Sequence, residues 1–580
     1  MFWPGDYIRI ARACAALGLL MAVAAQPVVA QSEVATLQVE IHDRQSGQIV
    51  PAMICITSLA DNTWRVPPDG RMPAGYITNR DIIEGRSMGM EYVAGKQKKW
   101  SPGDPGPAVL MNGDFGDDIT VPPDKRKRNP WYEGKPAVPF WKDPAAYFVS
   151  GPFSITLPPG KWRLSVMRGI EYLPVFEEFA VAAGEHLERK VPLARWVDMP
   201  GQGWYSGDPH VHSPRLVPMH DVYVMTWAKA TDVHMTTVNI YADKRGVYCD
   251  QQAFGKDSHY RQGDYILASG AEDPRAGIDD QGHVTQLNIQ KFVRDTSKYR
   301  AYDYVFDGVH AQGGLVGYNH LSWSGDFFRG RNPDLNPGWD ASINVIRGKI
   351  DFIEIMEAAH LGLEDYYDFL NLGVKLTAMA CSDSPAAVVG EQRVYAYTGP
   401  GRFSADSWYQ AVKQGHTFIT NGPMLQLTVN GQMPGDEVRV SKDARVRIHA
   451  RAWAPELIGL PKVLEIISQG RVIHSVERHA PTQEKLETDF ELPAEESRWI
   501  AARTTCVNGA VAHTTPVYLI VDGAGFFDRT QLPQLVDKRL KVLDWLERRL
   551  QNPRVVKSWT LEEASQVMAG IKDARAKYLA

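Results

Sequence analysis

The sequence predicts a multidomain protein, α/β in its middle and all-β on either side, with a helical tail. Three observations predict it. Apolar and polar residues alternate near both ends of the chain, short apolar runs interleave with helix-compatible stretches between them, and a leucine stripe of helical period begins at Leu532. At 580 residues the chain has room for about three or four domains.

Residues 1–30 read as a signal peptide. Arg9 and Arg12 precede an apolar run from Ala13 to about Ala25, and Val28 and Ala30 supply small residues for cleavage. The run is too short to span a bilayer and no later segment is long and apolar enough, so the mature chain is expected to be periplasmic or secreted, with no transmembrane segment. Residues 31–200 are expected to form a β-sandwich with a long insertion. Leu37-Gln-Val-Glu-Ile41 alternates, Phe153–Leu157 and Trp162–Val166 are joined by a Pro-Pro-Gly turn, and the Pro-, Gly- and Trp-rich stretch 61–146 has no clean period.

In residues 201–432 apolar strands are expected at Met235–Tyr241, Gly314–Gly317, Asp351–Ile355 and Val374–Ala378. Helices are expected between them, at Ser342–Arg347 and Glu364–Leu372. Such an alternation predicts parallel strands with the chemistry at their C-terminal ends. Residues 433–525 return to alternation, at Val438–Val440, Arg445–His449, Val463–Ile467 and Val517–Val521, and predict a second β-sandwich. Residues 526–580 are a helical tail whose last helix opens on a capping box, Thr560 to Glu563.

A net charge of −5 and a pI near 6.4 leave no basic footprint for nucleic acid. The one basic cluster, Lys125–Arg128, lies among prolines and aspartates and reads as a solvated loop. Cys55, Cys249, Cys381 and Cys506 lack metal-type spacing; one or two disulfides are open to them. There is no Walker loop or dinucleotide fingerprint. Glu354 and Glu357 suggest a glycosidase pair, but nothing in the sequence fixes their separation.

The chemistry centres on Gly207-Asp208-Pro-His210-Val-His212. On a strand, residues i and i+2 point to one side, so both imidazoles face one point and supply half a metal's coordination shell. With 16 histidines in the chain, one such pair arises readily by chance, and the case rests on its companions. Glu272, His283, His320 and Asp383 each lie at or near the end of an expected strand. Together the six point to a metal site. Asp208 is expected to orient a ligand histidine.

These residues resemble the PHP (polymerase and histidinol phosphatase) superfamily of metallohydrolases, and within it the carbaryl-hydrolase-like CehA/McbA branch. Trp408-Tyr-Gln-Ala-Val412, Gly415-His-Thr-Phe-Ile-Thr-Asn-Gly-Pro423, Val429-Asn-Gly and Pro434-Gly435 add to the likeness, which spans about Trp204 to Gly435. The resemblance implies a distorted (β/α)₇ barrel flanked by the two β-sandwiches. It also implies a first metal on His210, His212, Glu272 and Asp383, and a second, bridged by Glu272, on His283 and His320. The third site of the family lacks its usual residues: Asn239-Ile-Tyr241-Ala-Asp243 follows the second strand, and Pro385 stands two residues after Asp383. His220 and His234 are the nearest substitutes, His234 at the wrong end of its strand.

The expected function is therefore an exported hydrolase that sets a metal-bound water on an ester, carbamate or related bond. Two divalent ions are expected, zinc or alternatively manganese or iron, with a small-molecule or glycan-like substrate. His360, Tyr318, Asn319, Trp323 and Arg393 are candidates for leaving-group protonation or substrate contact, with Asn319 also a support for the ligands. The alternatives are a phosphoesterase of the same superfamily and a carbohydrate- or surface-polymer-binding protein with a vestigial metal site.

Overall fold

The computed structural model describes residues 34–65, 67, 92–93, 96–97, 138–143, 146–216, 218–243, 246–275, 281–321, 340–357, 360–384, 387–557 and 559–580. The signal-peptide reading, the Lys125–Arg128 loop and Trp323 lie outside them, as does the side chain of His360.

In the N-terminal region, Ala35–Asp43 runs parallel to His186–Leu193 and antiparallel to Phe153–Leu157. A second sheet joins Ala52–Ser58 to Tyr147–Val149 and Gly160–Met167, with Val175–Val181 beyond. The alternation of the first strand decides its faces: Leu37, Val39 and Ile41 are buried with Ile54, Ile56, Leu164 and Val166, which gives a sandwich-like core.

Strand Trp204–His212 pairs in parallel with Met235–Asp243, which pairs in parallel with Tyr265–Glu272. Val284–Leu287 follows antiparallel, then Leu315–Tyr318 antiparallel to it, then Phe352–Glu357 and Thr377–Ala380 in parallel. Arg393–Tyr397 returns antiparallel to Trp204–His212. Helices Pro218–Ala230, Asp303–His310, Ala341–Asn344, Glu364–Asn371 and Ala405–Gln414 lie between some of these strands.

This overturns the expected (β/α)₇ barrel and the α/β class with it. The structure is mostly sheet, 40% strand against 21% helix, and no such barrel is evident among the described residues. Between Met235–Asp243 and Tyr265–Glu272, where a (β/α)₇ barrel would carry a helix, the chain makes short antiparallel strands at Gly246–Tyr248 and Tyr260–Gln262. The physical reason is one of length and direction. Apolar periodicity marks a strand but not its sense, and the link from Glu272 to Val284 is shorter than the dozen or so residues a parallel crossover takes.

The same sheet runs on past the site. Thr417–Thr420 pairs with Arg393–Tyr397 on one side and Val511–Thr514 on the other, and the sheet continues through Pro461–Ser468 and Arg498–Cys506. A three-stranded sheet of Met424–Val429, Arg445–Trp453 and Lys485–Pro493 packs on it through Ile448, Ala450, Leu464 and Ile500, again sandwich-like. Helices Leu532–Leu550 and Leu561–Leu579 pack around Leu543, Leu546 and Ile571. Thr560 and Glu563 form the capping box. Arg539, buried in the first of these helices, ties the pair to the body through Asp365 and Asp368. Among the described residues no helix is long and apolar enough to cross a membrane. Cys55, Cys249, Cys381 and Cys506 are all buried, and none forms a disulfide among the described residues.

Candidate metal centre

Strand parity aims the two histidines. Trp204–His212 is buried along its length, and a register shift between Asp208 and Val211 adds a residue beside His210. The ring nitrogens His210 Nε2 and His212 Nε2 stand 3.1 Å apart. Each ring is held from behind: His210 Nδ1 donates to Glu354 Oε2 at 3.1 Å and His212 Nδ1 to the Asn239 carbonyl at 3.3 Å. Both Nε2 lone pairs therefore face inward. Asp383 Oδ1 lies 3.3 and 3.2 Å from them, and Glu272 Oε2 lies 3.8 and 3.3 Å away.

On its other oxygen, Oε1, Glu272 meets His283 Nδ1 at 3.0 Å and His320 Nε2 at 3.9 Å. The four sequence-predicted histidines thus converge on the Glu272 carboxylate, and Asp383 meets two of them. His320 and Asp383 carry φ values of 36° and 48°, a left-handed backbone that costs a non-glycine residue about 1 kcal/mol or more and collects at functional sites. Asp208 joins the segments, accepting from the His210 and Ser382 amides at 3.2 Å and from the Gly390 amide at 2.8 Å. Burial pushes its carboxyl up to about 6. Asn319 donates to Glu272 Oε1 at 3.4 Å and accepts from Thr285 at 2.7 Å, so it steadies the shared carboxylate.

Other candidates lie elsewhere. The Tyr318 hydroxyl donates to Asp340 at 2.5 Å and accepts from Asn344. Arg393 spends its guanidinium on the carbonyls of Gly390, Thr231 and Asp232. Both side chains are buried and bonded to the fold. His220 accepts from the Leu216 amide, and His234 is bonded to Ser206 and stacked on Tyr265; neither joins a ligand cluster.

Sequence reasoning missed four neighbours. Glu354 holds His210, and Cys381 Sγ donates to the same carboxylate at 3.1 Å. Glu357 joins His320 and Asp383 in a further cluster whose ligand atoms lie within 4.8 Å of one another. Strand parity alone would put Glu354 and Glu357 on opposite faces. A bulge between Glu354 and Met356 restores the match. Arg275, the fourth, reaches Glu272 Oε2 with Nε at 3.1 Å.

The electrostatics ask for a cation. Burial opposes protonation of His210, yet the facing Glu354 and Asp383 carboxylates hold its pKa well above the ordinary histidine value. Against the same burial, Arg275 and the clustered histidines hold Glu272 well below the carboxylate range. Burial pushes His320 down to about 3. Buried oxygens of Glu272, Glu354 and Glu357 lack hydrogen-bond partners, the Arg275 contact having ion-pair distance without hydrogen-bond geometry. These His, Glu, Asp and Cys clusters can hold a metal ion.

No protein-family model matches the chain, and neither does any curated protein. Two solved structures show limited likeness. Fibronectin(III)-like modules of Clostridium thermocellum CbhA are 21% identical over 18% of this chain and 97% of theirs, with a TM-score of 0.13. An engineered protein determined at 1.98 Å is 8% identical over 58% of this chain and 55% of its own, with a TM-score of 0.14. At these scores neither bears on the fold or on the site.

Proposed function

We propose that the protein is a metal-dependent hydrolase whose first ion is held by His210, His212, Glu272 and Asp383. One observation carries the reading: His210 Nε2 and His212 Nε2 stand 3.1 Å apart, and each lies 3.2 to 3.8 Å from a Glu272 and an Asp383 oxygen. Tetrahedral ligands on bonds of about 2.0–2.1 Å stand roughly 3.3 Å from one another, so the spacing fits zinc, with manganese or iron as alternatives. Glu272, His283 and His320 offer a second position of the same donor type. The likeness to PHP metallohydrolases of the carbaryl-hydrolase-like branch is proposed on this donor set and not on the fold.

When bound, the ion polarises a scissile carbonyl or phosphoryl oxygen and makes water acidic enough to attack near neutral pH. The chain's own residues do the rest. Glu354 and the Asn239 carbonyl fix which nitrogen each histidine presents, and Asp208 holds the two ligand segments at one distance. Burial of all but Asp383's edge keeps bulk water from screening the charges. Esters and carbamates of small or glycan-like molecules, met outside the cytoplasm, are the proposed substrates.

The test is elemental analysis of purified protein beside His210→Ala, followed by assays with aryl esters, carbamates and phosphodiesters. Bound metal that is lost with turnover in the variant is the expected result. A wild-type protein that takes up no metal after reconstitution overturns the reading.

A further inference from the structure

We infer that the Arg275 guanidinium is a built-in cation that takes the place of a second metal ion, so that the centre holds a single divalent ion. The inference rests on the metal-dependent reading above and adds to it the number of ions and the residue that sets it.

Arg275 is the one strongly basic side chain among the described residues in contact with the ligand cluster. Its Nε stands 3.1 Å from Glu272 Oε2 and 3.3 Å from His283 Nδ1. Its guanidinium carbon sits 4.0 Å from the centre of the Tyr241 ring, and the Tyr241 ring in turn packs edge-on against His212 at 5.0 Å. The backbone is pinned too, since the Arg275 amide donates to the Tyr299 hydroxyl at 2.9 Å. The side chain is 18% exposed. This is a seated group, fixed by a carboxylate, a ring face and a backbone bond.

A seated guanidinium interferes with a second ion in two ways. The first concerns the lone pair of His283 Nδ1, the atom that faces Glu272 Oε1 at 3.0 Å. A ring nitrogen has one lone pair. If Nδ1 accepts from Arg275 that pair is used, and if Nδ1 carries a proton toward Glu272 there is none to give. The second concerns charge. A guanidinium stays protonated in any protein setting and already compensates the carboxylate that a second ion would bridge. A dication on Glu272, His283 and His320 would be packed against it with both charges unscreened. At the first position Arg275 meets one oxygen, Glu272 Oε2, and neither histidine, so the Nε2 atoms of His210 and His212 and the Asp383 carboxylate stay open to the ion.

The experiment is metal stoichiometry. Wild type, Arg275→Met and Arg275→Lys are stripped with chelator, reloaded with excess Zn²⁺, desalted and analysed for metal per chain. Methionine keeps length and packs on Tyr241 without charge; lysine keeps the charge. Expected are one equivalent in wild type and Arg275→Lys and two in Arg275→Met. Reloading with Co²⁺ gives an independent readout: an isolated high-spin ion in wild type, a magnetically coupled pair in Arg275→Met. Two equivalents in wild type overturn the inference while leaving the hydrolase reading intact, and so does one equivalent in a folded Arg275→Met protein. Should Arg275→Met not fold, the wild-type count and its Co²⁺ spectrum decide alone. No metal in wild type defeats the underlying reading instead.

Discussion

His210 and Glu354 face each other across the core, Nδ1 to Oε2 at 3.1 Å, although 144 positions separate them in sequence. The carboxylate fixes the imidazole's tautomer and turns its other nitrogen toward His212 and Asp383. Glu354→Gln keeps the shape and removes the charge. It is expected to weaken metal affinity by about 10–100-fold, measured by chelator competition, since such outer partners contribute on that scale. Unchanged affinity would show that the histidine needs no such support.

Tyr318 tests the division between chemistry and scaffold. Its hydroxyl is fully buried and donates to Asp340. Tyr318→Phe leaves that carboxylate short of a donor, which is expected to lower stability in urea by about 1–3 kcal/mol. Turnover per folded molecule should hold. A large fall in kcat at unchanged stability would restore the tyrosine to the reaction.

The candidate ligands were legible because strand parity and strand ends are sequence-visible. His210 and His212 share a side by spacing alone, and His320 and Asp383 follow apolar runs. Glu357 was not legible as a partner of Glu354, because a bulge between them reverses the parity that spacing implies. Arg275 was hidden for another reason: a loop residue has no period, and its meeting with Tyr241 depends on which strands pair. The sandwich-like ends were legible from alternation. The middle was read as regularly alternating strand and helix, and failed, because apolar runs carry no direction: Val284–Leu287 runs antiparallel to both neighbours.

His513 predicts a pH dependence of stability. Burial pushes its pKa down to about 3 from an ordinary 6.5, with the Arg503 charge adding to the effect. The ring is held neutral, Nδ1 donating to the Thr514 carbonyl and Nε2 accepting from Tyr367, each at 2.7 Å. The unfolded chain binds a proton below 6.5 and the folded chain does not, so this stability is present above 6.5 and lost as pH falls toward 3. His513→Gln removes that dependence. The stability gap between wild type and variant should shrink by about 2–3 kcal/mol between pH 7 and pH 4.5, read from denaturant midpoints. Parallel pH curves would refute the assignment.

Gly207 stands one residue before Asp208 with no room for a side chain: a Cβ there would lie 2.1 Å from the Trp408 ring. Trp408 is fully buried and anchored to the Tyr205 carbonyl at 3.1 Å, so it does not yield. Gly207→Ala is expected to destabilise the fold by about 1–3 kcal/mol, through overpacking, and to lower metal retention along with it. A variant of wild-type stability would mean that the indole can move.

Because Thr417–Thr420 is hydrogen-bonded on both sides, the site-bearing part of the chain cannot be excised as a free-standing unit. A truncation near residue 433 would strip away Val511–Thr514 and bare a row of amides and carbonyls along Thr417–Thr420. Such an edge recruits other chains. The excised fragment would be prone to self-association, and the C-terminal strands act, in effect, as the stopper that closes this edge of the sheet.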